Sequence, residues 1–168
     1  MRVRVELKPR RRPPALAKAP FDAAQAKKYQ EEWADYLGVP VERDFDLPGG
    51  EKLTMMLIPP GEFMMGSTEE ERQWALDQAK ATDDQYDIER IPSEGPQHPV
   101  RITRPFYLGK YEVTQGQWAA VMGNNPSKFK DPMNPVEQVI WEDTQPFLAQ
   151  LNTATVREGM KFVLPTEA

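Results

Sequence analysis

Seventeen prolines are spread over the 168 residues of this chain, against ten glycines. Proline lacks the amide hydrogen that helix and sheet interiors use, so each proline interrupts a regular element or is confined to its end. The apolar fraction of 39% is nevertheless typical of a chain that buries a core. The sequence therefore predicts a loop-rich α+β domain with short strands and a few short helices, and it disfavours a helix bundle or a Rossmann sheet.

Charge is distributed unevenly along the chain. The first twenty residues hold seven basic side chains and one acidic one, a net charge of +6, whereas the whole chain carries −5. The remainder therefore carries about −11, and such an acidic body is a poor partner for nucleic acid. Residues 1–20 are predicted to be a basic, proline-rich, disordered tail that serves as a solvated linker, with contact to phosphate groups as the alternative.

The chain contains no cysteine, which excludes disulfides, thiolate nucleophiles and cysteine–metal sites within it. No apolar run is long enough to span a bilayer, and the charged N-terminus lacks the apolar segment of a secretory signal. We therefore expect no membrane span. The compartment stays undetermined, with the cytoplasm favoured.

Capping signals predict three helices, because an N-cap residue is followed three positions later by a glutamine or glutamate. These pairs are Asp22 with Gln25, Thr68 with Glu71, and Thr114 with Gln117. The helices are predicted to end near Gly38, Lys80 and Gly123. A fourth helix is predicted after Asp143, with Pro146 in its first turn. The apolar stripe of the first helix favours packing on the following domain, and binding of a separate partner is the alternative.

Runs rich in apolar and β-branched residues predict strands at 53–58, 100–103, 106–108, 111–113 and 162–164. A further short strand is predicted at the start of the segment "VIWEDTQPFLAQLN", directly before the fourth helix. Turns rich in proline and glycine, at 48–50 and 59–61, flank the first of these runs. Thr166, Glu167 and Ala168 are predicted to form the first turn of another helix. The strongly acidic segment 69–94 is predicted to form a solvated acidic loop after the second helix.

Candidate chemical groups are few. The single histidine, His98, lies between prolines and has neither cysteine nor a second histidine with which to build a zinc site, so a structural or surface role is expected. Glu142 and Asp143 are adjacent at a helix start, where carboxylates serve as caps. The acids of 69–94 lack the spacing of a calcium loop, and the methionines at 55, 56, 64 and 65 are expected to fill the core. No catalytic, cofactor-binding or metal-binding residue is assigned.

Four short sequence blocks occur along the chain, and their order is more informative than any one of them. They are "IPPGEFMMGS" at 58–67, "EGPQHPVRITRPFYLGKYEVTQGQW" at 94–118, "NPVEQVIWEDTQPF" at 134–147 and "FVLPTEA" at 162–168. Together they resemble the formylglycine-generating enzyme family, also called the sulfatase-modifying-factor domain. The resemblance covers about residues 50–168 and divides the chain into the tail 1–20, a helical lead-in at 21–45, and the N-terminal part of such a domain at 46–168.

The resemblance implies an incomplete C-type-lectin-like fold. Oxidases of the family convert a sulfatase cysteine to formylglycine with oxygen and copper(I) held by two cysteines, and both these cysteines and the family's calcium sites are expected to lie beyond residue 168. This chain alone is therefore expected to be inactive and to hold no cofactor. Glu112 matches the glutamate of the family's "YEV" block without an assigned role.

Two functions stay open for the parent protein. One is oxidation of a sulfatase cysteine, and the other is a non-catalytic ligand-binding or sensory module of a larger bacterial signalling protein. The expected partners are a protein or peptide substrate or other domains of that parent. Nucleic acid is not expected as a partner, and no membrane span is expected.

Overall fold

The structure, a computed structural model, describes residues 12–155 and 160–166. These residues form two compact units. Unit 1 consists of 12–29 and 59–105, and unit 2 consists of 30–58, 106–155 and 160–166. Each unit contains one three-stranded sheet. The short elements and long connections are those of the predicted loop-rich α+β fold.

The elements follow one another along the chain in this order: β1 (Ala17–Lys18), α1 (Ala23–Leu37), β2 (Glu42–Asp46), β3 (Lys52–Ile58), β4 (Gly61–Met65), α2 (Glu69–Ala81), α3 (Gln85–Arg90), β5 (His98–Ile102), β6 (Phe106–Gly109), α4 (Gln115–Met122) and α5 (Trp141–Thr155). Residues 48–50 and 91–94 form single 3₁₀ turns. In the described ranges, none of the helices combines the length and the apolar character that a bilayer crossing requires.

Strand β4 is the centre of the sheet of unit 1, parallel to β1 and antiparallel to β5. Gly61 lies opposite Ala17, and a Cβ atom on Gly61 would come within 2.7 Å of the Ala17 carbonyl oxygen. Ala17 is buried, and its amide donates to the carbonyl of Pro60. The prediction of a disordered tail over 1–20 is therefore wrong at 17–18, while residues 1–11 lie outside the described residues.

The acidic segment 69–94 contains the predicted second helix, but the part after it is not the predicted loop, because residues 85–90 form the further helix α3. Helix α2 begins with the predicted capping box of Thr68 and Glu71. Asp84 then caps α3, its carboxylate accepting from the amide of Asp87 at 3.1 Å. A side-chain cap thus starts a short helix where a solvated loop was predicted.

Helix α1 follows its sequence signals. The Asp22 carboxylate accepts from the Gln25 amide at 2.8 Å, and Gly38 ends the helix with a φ of 69°. Trp33 of its predicted apolar stripe is buried, whereas Leu37 at the other end is exposed.

Strand β3 is the centre of the antiparallel sheet of unit 2, between β2 and β6. One face of this sheet joins α4 and α5 in a core that is made of the side chains Phe45, Leu47, Leu53, Trp118, Val121, Phe147 and Leu151. Helix α4 has the predicted capping box of Thr114 and Gln117, and Gly123 ends it in the left-handed conformation.

Three predictions for unit 2 are wrong in detail. Residues 111–113 are not a strand, because the chain leaves the sheet after the Lys110 amide donates to the Thr54 carbonyl, and the Val113 carbonyl then accepts from Val136. Residues 139–140, directly before α5, do not form the predicted strand. The helix already begins at Trp141, so Pro146 lies beyond its first turn.

Residues 162–164 form no strand either. The side chain of Asn152 takes the place of a neighbouring strand: its oxygen accepts from the Phe162 amide at 2.8 Å, and its nitrogen donates to the Phe162 carbonyl at 2.9 Å. Thr166 lies outside any helix, and Glu167 and Ala168 of the predicted helical turn lie outside the described residues.

Candidate functional site

An open hollow of about 1360 Å³ lies in unit 2 where strand β6 ends. Its walls come from the turn 108–114, residues 49–52 before and within β3, Gln117 on α4, and the loop positions 133, 135 and 165. Gln117 joins two of these walls, because its side-chain amide donates to the Lys52 carbonyl at 2.7 Å. A concave surface shared by several loops on a common sheet is the usual place for a binding site.

The two lysines of the hollow are neutralised by acids of strand β2. The Lys110 ammonium lies 2.7 Å from the Glu42 carboxylate, and Lys52 lies 3.7 Å from both Asp44 and Asp46. The hydrogen bond to Glu42 raises the pKa of Lys110 above its ordinary value. Both lysines are therefore paired cations with limited capacity for a further anion.

The two glutamates of the hollow have no such partners. In the ranges that the structure describes, neither Glu51 nor Glu112 makes a side-chain hydrogen bond or ion pair, and both line the hollow. Tyr111 and Met133 extend beside them, with 71% and 80% of their surfaces exposed. The hollow thus combines two unpaired carboxylates with apolar surface.

A buried glutamine fixes the loop that forms one wall. Gln115 is only 1% exposed, and its side-chain amide donates to the carbonyls of Phe129 at 2.8 Å and Pro135 at 3.4 Å. Its oxygen accepts from the Asn125 side chain at 2.9 Å and the Asp131 amide at 3.2 Å. All four hydrogen-bonding positions of this amide are used, so the first residue of α4 holds loop 124–135 in place.

Glu137 closes the same loop from its other end. Its carboxylate accepts from the amides of Phe129 at 2.9 Å and Lys128 at 2.6 Å, and the bond from Phe129 is the main cause that lowers the pKa of Glu137. The buried Ser127 hydroxyl accepts from the Glu137 amide at 3.0 Å. The loop is therefore ordered by bonds to its main chain.

The Glu137 contacts predict an acid-sensitive loop. Because its folded pKa is lowered, the carboxylate stabilises the fold fully above the unfolded pKa, and that contribution disappears as the pH falls through the folded value. We expect an NMR titration to place the Glu137 carboxyl midpoint below that of an unfolded peptide. Glu137→Gln should also flatten the acid side of the stability profile.

Glu112→Gln is the matched control for this prediction, since Glu112 has no side-chain hydrogen bond in the described ranges. The attribution to Glu137 would be contradicted if the stability of Glu137→Gln fell at low pH as steeply as that of the unaltered chain. It would also be contradicted if Glu112→Gln reduced this pH dependence equally.

The residues considered from the sequence are not brought together. His98 is exposed at the start of β5 in unit 1, where its Nδ1 lies 2.9 Å from the Pro96 carbonyl oxygen, which agrees with the structural role. Asp143 behaves as a cap, accepting from the Ile140 amide at 3.0 Å. Met55 packs against the core as predicted, but Met64 is 55% exposed and does not fill it.

The side chains present do not fit the copper site that the resemblance implies. Copper(I) favours soft thiolate ligands, and the sequence has no cysteine. In residues 12–155 and 160–166, no three or more histidine, cysteine, aspartate or glutamate side chains converge as a metal site would require. The location of the family's calcium sites stays a prediction.

Sequence reasoning missed Glu51, Tyr111 and Gln115. Tyr111 was assigned to a strand, Glu51 follows a turn of glycines, and Gln115 follows a helix cap without any pattern of its own. One signal could have indicated Gln115. It is a polar residue directly after an N-cap, on a helix that is followed by a long loop rich in proline and asparagine.

Comparison with known protein families finds the same family that the four sequence blocks resemble. The family model of the sulfatase-modifying factor enzyme 1-like domain matches residues 46–168. "Chaperone protein LppX" of Paenibacillus barcinonensis is 50% identical over 56 residues, which cover 33% of this chain and 19% of that protein. This chain therefore spans about a fifth of that relative.

Two solved structures are similar. Treponema denticola variable protein 1 matches with a TM-score of 0.50 and 25% identity over 69% of this chain and 36% of the other. PvdO from Pseudomonas aeruginosa matches with a TM-score of 0.46 and 23% identity over 67% of this chain and 44% of the other. Since the family model matches most of the chain, the chain belongs to the family of sulfatase-modifying factor enzyme 1-like domains and has the formylglycine-generating-enzyme fold.

Proposed function

We propose that these 168 residues act as a ligand-binding module of the family and do not oxidise cysteine. The observation that carries this proposal is the chemistry of the hollow in unit 2. Its open walls offer the apolar surface of Tyr111 and Met133 and two unpaired carboxylates, a set suited to contact with a protein or peptide.

The absence of cysteine supports the second half of the proposal. Oxidation of a substrate cysteine through thiolate-bound copper(I) requires sulfur ligands that this sequence does not supply. Methionine thioethers are the remaining soft ligands. Within the described ranges the exposed ones are Met64 in unit 1 and Met133 and Met160 in unit 2, and the Met160 sulfur already accepts from the Arg43 side chain at 3.7 Å. Activity of a longer polypeptide that contains this chain is a separate question, which the cysteines of that polypeptide decide.

Two measurements on the purified chain test the proposal. A competition titration with a chromogenic copper(I) chelator is expected to show no submicromolar affinity. An oxygen electrode is expected to record no uptake beyond that of copper alone when a cysteine-containing peptide and copper(I) are added. Met133→Leu is the control. Copper(I) affinity that disappears in this variant comes from the exposed Met133 thioether, whereas affinity that remains indicates a preformed copper site elsewhere.

Tight copper(I) binding that survives Met133→Leu, together with oxygen uptake that depends on the peptide thiol, would show an oxidase and overturn the proposal.

A further inference from the structure

We infer that the outer face of helix α2, centred on Trp74, binds the arginine-rich segment 1–12 of the same chain. Helix α2 and strand β1, to which that segment is attached, belong to unit 1, so the inference goes beyond the function proposed for unit 2 and does not depend on it. It follows from the exposure of Trp74, from the carboxylates beside it, from the opposite charge of segment 1–12 and from the place where that segment joins the sheet.

Trp74 lies on the solvent side of α2, with 68% of its surface exposed. The opposite side of the helix is turned inward, since Ala79 is buried and Ala75 and Leu76 are half-buried. Within the described ranges the indole ring has neither an aromatic nor a cationic partner. A single exposed aromatic side chain is common on protein surfaces, so the groups around it decide what it can bind.

Three carboxylates share this face of α2. Residues three and four positions apart are neighbours on a helix surface, so Glu70, Glu71 and Asp77 lie around Trp74, and all three are exposed. In residues 12–155 and 160–166, Glu71 and Asp77 accept hydrogen bonds only from neutral groups, and none of the three carboxylates has a cationic partner. The face therefore combines an aromatic ring with negative charge that no cation of the described ranges contacts.

The acidic segment 69–94, which includes this face, has nine acidic and three basic residues. Two of the basic residues are already engaged: Arg72 pairs with Glu69, and the Arg90 guanidinium lies 4.8 Å from the centre of the Tyr86 ring. An excess of carboxylates produces a negative potential that attracts a cationic ligand and disfavours an anionic one. The occupant of the face is therefore expected to be a basic segment.

Segment 1–12 has the complementary composition. It contains six basic residues and one acidic residue, and five of the six basic residues are arginines. The guanidinium group of arginine is planar, so it can stack on a tryptophan ring and donate to a carboxylate at the same time. Because the segment is part of the same chain, its local concentration at α2 is high, and a contact that is weak between separate molecules becomes populated.

Strand β1 fixes the point from which this segment extends, because Ala17 lies opposite Gly61 in β4. The path along the chain from Gly61 through β4, the following turn and the start of α2 is at most about 35 Å long, so Trp74 lies within that distance of Gly61. Residues 5–16 span up to about 40 Å when extended. The first four residues, two of which are arginines, can therefore reach Trp74 while β1 stays paired.

The test places a spin label on this segment of the whole chain. The sequence has no cysteine, so Val5→Cys supplies a single thiol for a nitroxide label. At low ionic strength the NMR signal of the Trp74 indole N–H, which Trp74→Leu assigns, is expected to lose most of its intensity, because the nitroxide relaxes nearby protons. Trp141 is the matched control, since it is 65% exposed but has no carboxylate three or four positions further along α5. Its signal should remain.

Salt and charge variants test whether opposite charges hold the segment on α2. In about 0.5 M sodium chloride the screening length falls to about 4 Å, so the Trp74 signal should recover. Glu70→Gln with Asp77→Asn should restore the signal at low salt. Glu71 is left unchanged in this variant because it closes the capping box of α2.

The matched control for the acidic pair is Glu31→Gln with Glu142→Gln, which changes the net charge equally at exposed positions of unit 2. The loss of the Trp74 signal should persist in this control. A variant of the segment itself, Arg2→Gln with Arg4→Gln, should relieve the loss, because it removes the two arginines that lie nearest the label.

Three results would each overturn the inference: a Trp74 signal that keeps its intensity at low salt, an equal loss at Trp141, or a loss that persists in high salt or in Glu70→Gln with Asp77→Asn. A mixture in which the spin label and the isotope are on different copies is the remaining test. Signal loss in that mixture would place the segment on a second copy and would also overturn the inference. The salt comparison uses one labelled protein, so it decides the question even if a charge variant fails to fold.

Discussion

Replacing Trp118 by alanine is expected to lower the free energy of unfolding by about 3–5 kcal/mol, the usual cost of removing a large buried aromatic side chain. Trp118 is 5% exposed in the core of unit 2. Its ring stacks on Phe147 with centroids 4.8 Å apart and an interplanar angle of 2°. Its indole N–H donates to the Asn124 side chain at 3.2 Å, so the substitution removes packing and a hydrogen bond together.

Urea denaturation followed by far-ultraviolet circular dichroism measures this loss. The matched control is Trp74→Ala, since Trp74 also lies on a helix but is 68% exposed. Surface substitutions usually change stability by no more than about 0.5 kcal/mol. Equal shifts in the two variants, or no shift in Trp118→Ala, would mean that the core of unit 2 is not organised around this ring.

Local signals predicted the elements that depend on neighbouring residues. The capping boxes at Thr68 and Thr114 are satisfied within four residues, so the sequence contains all the partners that these helix starts require. Strand β3 was likewise predicted, because its apolar run lies between two turns. The family and the fold followed from the order of the four blocks.

The errors occurred where a distant partner decides the structure. Residues 162–164 have strand composition, but the Asn152 side chain, ten positions earlier, binds both main-chain groups of Phe162. Ala17 becomes part of a sheet only because Gly61 allows a close approach. Neither contact leaves a periodic pattern in the sequence.

Most of the candidate site could not be predicted from the sequence, because it too depends on contacts between distant residues. Its hollow requires the register of β3 and β6, which places Gly109 opposite Met55, and that register is a property of the folded sheet. The pairing of Lys110 with Glu42 joins positions 68 residues apart. Only after these pairings are known do Glu51 and Glu112 stand out as carboxylates of the hollow that have no side-chain partner in the described ranges.

Gln115→Leu is the second substitution with a large expected effect. Leucine has a similar volume, but it leaves the Phe129 carbonyl, the Asp131 amide and the Asn125 side chain without the amide that now binds them. Each unsatisfied buried polar group costs about 1–3 kcal/mol, and since loop 124–135 can partly relax toward water we expect a total loss of about 3 kcal/mol. Urea denaturation measures this loss.

The control for this variant is Gln150→Leu, an exposed glutamine on α5 with no hydrogen bond of its side chain in the described ranges. It should change stability by no more than about 0.5 kcal/mol. A Gln115→Leu protein as stable as Gln150→Leu would show that water satisfies these groups and that the loop does not depend on the buried amide.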